Sequence, residues 1–416
     1  MTQYLKYLFP GLLVATACSF FYPSFGLTNV LIVLLSLAWL INGKLKEKLQ
    51  AFMNNKLALI FCGLPIIYLL SLAWSQNPGA GLSLVEKKLL LILFPLILST
   101  TDVSANLLKK LLVAFVATAI VASIVSTISV GFNYLSSDEA IAVMYFRDEF
   151  AVKAGMDIPY FALYLDLAIL AVIYLITTTW KDASYGWKLL AFLSAAILVA
   201  ISLVLSARMP LIALFVLAIA AYGFFIRRYP LYGSISLAVV IIIAGLAFSK
   251  LTFIGQRFKE IVDTKWEPPV GIHHNSTNLR IGTYNCSFEL LRSNWVTGMG
   301  VGDVQPALNE CYQTKGYSDV MYLESYNSHS EYLNIWLNIG VVGIGLFLLS
   351  LSLPLWRSLR QGNYLYAAFL GLMILSFITE CVLERQRGIY LYAFFNSLLA
   401  FASPGIKDYK KDEPKA

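Results

Sequence analysis

The stretch Asn327–Leu348, NSHSEYLNIWLNIGVVGIGLFL, passes from small polar residues to an apolar run within a few positions. One of the chain's three histidines, His329, stands at that border. Crossing the hydrocarbon core of a bilayer takes about 20 apolar residues, and the run from 331 to 353 supplies them. The rest of the chain reads the same way. Of its 416 residues 58% are apolar and 13% charged, with a mean hydropathy of +0.71. That charged share is about half the usual one for a soluble domain. So many apolar residues cannot all be buried in a water-soluble globule of this size, so an integral membrane protein is expected.

Working outward, twelve apolar segments have span length: 8–23, 27–42, 56–74, 82–99, 107–130, 159–178, 188–205, 208–226, 231–249, 331–353, 363–380 and 387–403. The fold class is therefore an all-α polytopic membrane protein of about 12 transmembrane helices. YPSFG (22–26) reads as a Pro/Gly turn that folds the first two into a hairpin. Lys6 before an apolar run, and ATAC ending at Cys18, faintly resemble a lipoprotein leader, but a first membrane span is preferred. No internal repeat is evident, which weighs against transporter folds built from inverted halves.

Lys and Arg set the orientation. With the N-terminus in the cytoplasm, seventeen of the 31 fall on the cytoplasmic side. Fourteen fall outside, and seven of those lie in a loop too long for the rule to count. Both termini are thus expected inside. The organisation that follows has helices 1–9 in residues 1–249, with an outer loop at 131–158. A long outer loop spans 250–330, helices 10–12 span 331–403, and a cytoplasmic tail spans 404–416. The net charge of +7 is scattered over loops and gives no sign of a nucleic-acid partner.

Within the long loop, STNLRIGTYNCSFELLRSN (276–294) reads as an amphipathic helix. Ser276 or Thr277 can cap it, and Ile281, Tyr284, Phe288 and Leu291 share one stripe. The five cysteines show no metal-ligand spacing. Cys286 and Cys311 share this loop and are candidates to pair if it faces an oxidising compartment.

The charges at the outer span ends carry the chemistry. Arg208, in LSARMP, opens the eighth span, and Lys87 and Lys88 lie one turn inside the fourth. Arg385 and Arg387 enter the twelfth beside Glu380 and Glu384, and Arg280 lies in the first turn of the loop helix. A cation at mid-bilayer costs about 2.5–3.5 kcal/mol, and less near the interface. Snorkelling, or pairing with Glu86, Glu380 and Glu384, accounts for Lys87 and Arg387 as well as function does. Arg208 and Arg280 stand at helix N-termini, where a cation is disfavoured by roughly 0.3–1 kcal/mol. A bound phosphate-like anion reverses that sign.

Ser328 and Glu331 have capping-box spacing, which puts His329 at the first helical position. The positive helix end and nearby arginines lower a histidine's pKa and leave a neutral ring able to act as a general base. The plainer reading is a capped interfacial histidine with no chemistry. Asp157, at the start of the sixth span, either accepts from a substrate hydroxyl or caps its helix. GMGVGD (298–303) lacks the strand and lysine of a nucleotide loop and reads as a turn. His273 and His274 suit no metal without further ligands, and NST and NCS match the glycosylation pattern that chance often supplies.

Convergent cations and one neutral base, without nucleotide or metal signatures, suit a lipid-anchored anionic substrate. A sugar on a polyprenyl diphosphate meets both conditions. Arginines would hold the leaving diphosphate, each oriented donor contributing about 3–4 kcal/mol. A histidine would deprotonate the acceptor hydroxyl in a single inverting displacement that needs neither metal nor other cofactor. The chain resembles the O-antigen ligase and polymerase superfamily of Gram-negative bacteria at SARMP, LRIGTYNCSFELLRSNWVTGMGVGD and NSHSEYLNIWLNIGVVGIGLFL, and in its span count and long outer loop. The resemblance implies a GT-C-like glycosyltransferase of the bacterial inner membrane with a periplasmic site. It implies an undecaprenyl-diphosphate-linked glycan as donor, lipid A–core as acceptor and membrane lipids around it. It matches Arg208 and Arg280 to the diphosphate-binding arginines, His329 to the catalytic histidine and Lys88 to a further basic residue. Asp157, Glu331, Asn327 and Arg385 are the candidates for acceptor or supporting roles. Many members carry asparagine directly after the histidine; here it is Ser330, with Asn327 and Asn334 nearby. A polymerase or a protein O-glycosyltransferase shares these motifs. A transporter or flippase, the alternative class, would line the bilayer midplane with charge.

Overall fold

In the computed structural model, residues 2–131, 139–179, 182–226, 259, 262–271 and 274–402 are described. They fall into two compact units. One comprises residues 1–20, 24–115 and 266–416, the other 21–23 and 116–265.

The first unit begins with the expected hairpin, α1 (Thr2–Ser19) and α2 (Phe25–Ile41). Ser24 caps α2 by accepting the Gly26 N–H, and the Thr28 hydroxyl donates to Ser19 O at 3.0 Å. A sharp bend of 107° leads into α3 (Leu45–Asn54), which hydropathy did not reveal. Then come α4 (Lys56–Ser71), α5 (Pro78–Lys88) and α6 (Leu90–Ser99). The predicted span 82–99 is thus two helices that meet at Leu89. Pro95 in α6 has no N–H for the carbonyl of Leu91, and the Cys62 thiol approaches that oxygen at 3.9 Å. Helix α7 (Ala105–Gly131) starts in this unit and continues in the other.

The second unit holds α8 (Glu139–Ala154), α9 (Ile158–Thr179), α10 (Tyr185–Leu205) and α11 (Arg208–Ile226). Helix α9 is its core, buried over most of its length. Ser206, at φ +46°, ends α10 in a left-handed turn, and α11 restarts two residues later.

The later part of the first unit contains α12 (Ser276–Asn294), α13 (Val304–Thr314), α14 (Val320–Leu323), α15 (Glu331–Gln361), α16 (Tyr364–Ser376), a 3-10 turn at Val382–Glu384 and α17 (Gln386–Phe401). The helix expected over 276–294 forms with those bounds. Its cap is Asn275, whose side chain accepts from Thr277 and Asn278 while the Asn278 side chain accepts the Asn275 N–H. The buried face also differs from the predicted stripe. Leu279, Cys286 and Leu291 are buried and Phe288 is exposed. The face that carries Cys286 packs toward α13, to which the Cys286–Cys311 disulfide joins it. Leu308, Tyr312, Met321 and Leu337 complete this core.

Helix α15 is broken at Ile339 and Gly340. The glycines of GMGVGD close the gap. Met299 N–H donates to Leu337 O at 2.7 Å, and Gly300 N–H donates to Asn338 O at 3.1 Å. Val341 N–H returns a bond to Val296 O at 3.1 Å. Gly340 sits at φ +68°, where a Cβ would lie 2.1 Å from Val296 O. Asp303 extends the clasp to the loop before α5, accepting from the N–H groups of Gln76 and Asn77. Backbone freed by a break in an apolar helix must find partners inside the protein, and this turn provides them.

Helix α17 is almost wholly buried in its unit. Phe20 stacks on Tyr390 with ring centroids 5.5 Å apart and meets Phe394 edge-on. Arg387 is buried, donates to Phe20 O at 2.9 Å and lies over the Phe25 ring, tying α17 to the hairpin.

The ninth predicted span, 231–249, and the tail 404–416 lie outside the described residues, and the other predicted spans fall on helices. Among the described residues four helices are long and apolar enough to cross a membrane: α7, α9, α10 and α15. A fifth is counted if the bent pair α2 and α3 is one span. Among the described residues, several of the other predicted spans fall on helices that are short or split.

Candidate active site

His329 lies in the short link before α15, and its backbone takes φ +48°. This left-handed conformation costs a residue with a Cβ roughly 1–2 kcal/mol. The predicted capping box does not form. Ser328 Oγ donates to Ser330 O at 3.0 Å, and the Glu331 carboxylate accepts from Leu383 N–H at 2.7 Å. Ser330 is the N-cap, and its side chain makes no capping bond but donates to Phe377 O at 3.5 Å. His329 is therefore outside the helix, in a turn held from three sides. Its N–H donates to Asn327 Oδ1 at 3.0 Å, and its carbonyl accepts from Tyr284 Oη at 3.4 Å. Thr283 Oγ1 donates to Ser328 O, which fastens the same turn to α12. The Tyr284 hydroxyl is pushed up to about 12, chiefly by burial, so it stays a donor.

The imidazole packs against Tyr326 with centroids 5.3 Å apart. Its Nδ1 is buried, with no hydrogen-bond partner among the described residues. Burial pushes its pKa down to about 3, and the charges of Arg280 and then Arg385 add to the effect. The expected direction holds, but the cause differs. Removal from water acts first and the arginines second.

Arg280 sits one turn into α12, partly buried. It donates through Nη1 to Ser276 O at 3.0 Å and pairs through Nη2 with Glu380 Oε1 at 2.7 Å. Its guanidinium is thus pre-oriented beside the histidine turn and held by a carboxylate. Arg385 is exposed at the head of α17. Lys88, expected at the diphosphate, is engaged internally. It is 2% exposed, donates to Leu383 O at 2.7 Å and lies 4.5 Å from the centroid of the Tyr68 ring. Glu331 grips the N–H of that same Leu383, so two charged side chains fix one residue of the 3-10 turn. Glu384, next in that turn, accepts from Asn327 Nδ2 at 2.9 Å and from Asn334 Nδ2 at 2.8 Å.

Two candidates belong to the other unit. Arg208 is the first residue of α11, partly exposed, just after the left-handed Ser206. Arg147, which the sequence did not single out, donates from α8 to Leu205 O at 2.9 Å at the same helix break. Asp157 is exposed at the head of α9, where its carbonyl accepts the first-turn N–H groups of Tyr160 and Phe161. Among the described residues no three His, Cys, Asp or Glu gather in a group suited to a metal ion.

Residues 195–348 match the family model described as O-Antigen ligase. That segment, 154 of the 416 residues, is similar to the O-antigen ligase superfamily. The superfamily segment runs from within α10 to within α15 and contains Arg208, Arg280 and His329. Lys88, Glu380, Glu384 and Arg385 lie outside it, so the ligase-like segment receives charged partners from elsewhere in the chain. No curated protein matches the chain.

Proposed function

We propose that this protein is a membrane glycosyltransferase of the O-antigen ligase type. It moves a glycan from undecaprenyl diphosphate to a sugar hydroxyl of lipid A–core. The observation that carries the reading is His329, a partly buried neutral imidazole whose Nδ1 is buried without a hydrogen bond and which feels the charge of Arg280 inside the ligase-like segment. His329 takes the proton of the acceptor hydroxyl as its oxygen attacks the anomeric carbon. The bond from that carbon to the diphosphate oxygen breaks on the opposite face, so the centre inverts. Undecaprenyl diphosphate leaves with the electron pair. Arg280 neutralises that leaving charge, which is why the displacement calls for no metal. Arg208, which belongs to the other unit, stays a diphosphate-binding candidate on the sequence alone.

The Cys286–Cys311 disulfide supports a periplasmic position for this region, because such bonds persist in oxidising compartments. The cation excess in the cytoplasmic loops supports inner-membrane insertion with both termini inside, and the superfamily supports a GT-C-like architecture.

The test combines purified protein, diphosphate-linked glycan and lipid A–core, without ATP or metal. Glycan appears on lipid A–core, and His329→Ala and Arg280→Ala abolish it while remaining folded. Undiminished product from His329→Ala removes the base. Chain growth on the diphosphate carrier without lipid A–core identifies a polymerase instead.

A further inference from the structure

No hydrogen bond among the described residues holds the His329 ring, so its direction depends on the backbone turn that carries it. That turn rests on Asn327. Its amide has two ends, and only one orientation serves: Oδ1 must face the His329 N–H. An amide can flip, and something has to choose. Glu384 chooses. An ionised carboxylate only accepts hydrogen bonds. Its Oε2, 2.9 Å from Asn327, therefore requires Nδ2 on that side and leaves Oδ1 for His329. Its other oxygen takes Asn334 Nδ2 at 2.8 Å, which registers the carboxylate against the first turn of α15. Glu384 itself cannot drift, because Lys88 and Glu331 hold the two polar groups of Leu383 beside it.

We propose that Glu384 is the positioning residue for His329. Its carboxylate sets the orientation of the Asn327 amide, and that amide sets the left-handed turn that aims the imidazole. The proposal rests on the reading of His329 as the base. It adds a residue that lies outside the ligase-like segment and 57 positions from Asn327. It also gives Lys88 a defined part: it holds the turn that bears Glu384.

The test uses the full-length protein in nanodiscs and three variants: Glu384→Gln, Asn334→Asp and the two combined. In Glu384→Gln the side chain can accept at one end only, so one of the two asparagines must turn round. The expected result is a kcat at least tenfold lower, with the donor KM within about twofold. In the double variant the introduced amide accepts from Asn327 at one end and donates to the introduced carboxylate at the other, and kcat returns to within about threefold of the parent. Asn334→Asp alone sets two carboxylates face to face and is the worst of the three. The second measurement needs no turnover. With His273 and His274 replaced by glutamine, a 13C label on the histidine ring reports His329 alone. Glu384→Gln shifts and broadens that signal, and the double variant restores it. An unmoved signal, an unchanged kcat or a loss without rescue overturns the proposal. If His329→Ala stays active, the base reading fails, while the ring signal still decides whether Glu384 positions His329. If Glu384→Gln does not accumulate folded, Glu384→Asp takes its place and is judged by the same ring signal and the same split between kcat and KM.

Discussion

A histidine base that stays neutral far into acid makes a specific prediction for the pH profile. The perturbation is a shift from pH 7 to pH 5. An ordinary histidine of pKa about 6.5 would fall from about 76% neutral at pH 7 to about 3% at pH 5, a loss of about twenty-fivefold. His329, held at about 3, stays about 99% neutral there. The kcat/KM of the free enzyme should therefore lose no more than about twofold to this group over that interval. A base of so low a pKa has little pull on a hydroxyl proton, and bound substrate corrects this. A diphosphate beside Arg280 offsets the guanidinium charge and favours imidazolium. A nearby opposite charge raises such a pKa by about 1–3 units. The acid limb of kcat, which reports the loaded enzyme, should thus lie above that of kcat/KM. The assay is initial-rate transfer in nanodiscs from pH 4 to 8 at saturating and limiting donor. The labelled His329 ring identifies the group that titrates, since Glu380 and Glu384 also face this region. A kcat/KM limb centred near 6.5, moving with the ring signal, refutes the reasoning. So do two limbs that coincide.

The same group makes folding pH-dependent. Its folded pKa is below its unfolded value, so the unfolded chain binds more protons between about 6.5 and 3. Stability is lost as pH falls through that window, by on the order of 4 kcal/mol, and His329→Gln should flatten the dependence in thermal melts. Glu380→Gln releases Arg280 from its carboxylate at 2.7 Å, and the donor KM should fall several-fold; a KM that rises or stays constant contradicts a ligand role for Arg280. Gly340→Ala places a Cβ 2.1 Å from Val296 O at a positive φ, and should cost about 3 kcal/mol or more by nanodisc melting. Loss of the Cys286–Cys311 bond opens a loop of 25 residues' separation, worth about 3–4 kcal/mol, so a melt with reductant should show an early transition confined to α12 and α13.

Local signals in the sequence were dependable where one element decided the matter. The helix at 276–294 was legible because its polar start and apolar spacing are contained within it. The turn at 298–303 was legible because its glycines lack the neighbours of a nucleotide loop. What failed depended on partners far along the chain. Leu89 splits an apolar run that hydropathy reads as continuous. Phe288 lies in the expected apolar stripe, yet the face that is buried is the one packed on and disulfide-bonded to another helix. Ser328 and Glu331 have capping-box spacing, yet Leu383 captures the carboxylate from 52 residues away. Glu384 reads as one acidic residue among several, and nothing in its own segment points to Asn327.

On the proposed reading of His329 as the base, its placement at the mouth of an apolar helix has a physical reason. A general base must be dry enough to stay uncharged, yet open to a hydroxyl arriving from water. A residue inside α15 would meet the first need, and one on the loop surface the second. The left-handed turn between them meets both, but it is strained and would not hold alone. Three anchors keep it: Glu331 N–H on Phe377 O at 2.9 Å, Tyr284 Oη on the His329 carbonyl, and Asn327 on its N–H. Each depends on a different segment, so the turn is fixed only when α12, the end of α16 and the 3-10 turn are all in place. The clasp of GMGVGD on the break in α15 joins the link between α12 and α13 to this helix and so braces the helix that follows the His329 turn. Loosening the clasp at Gly340 should therefore lower kcat before it alters donor KM.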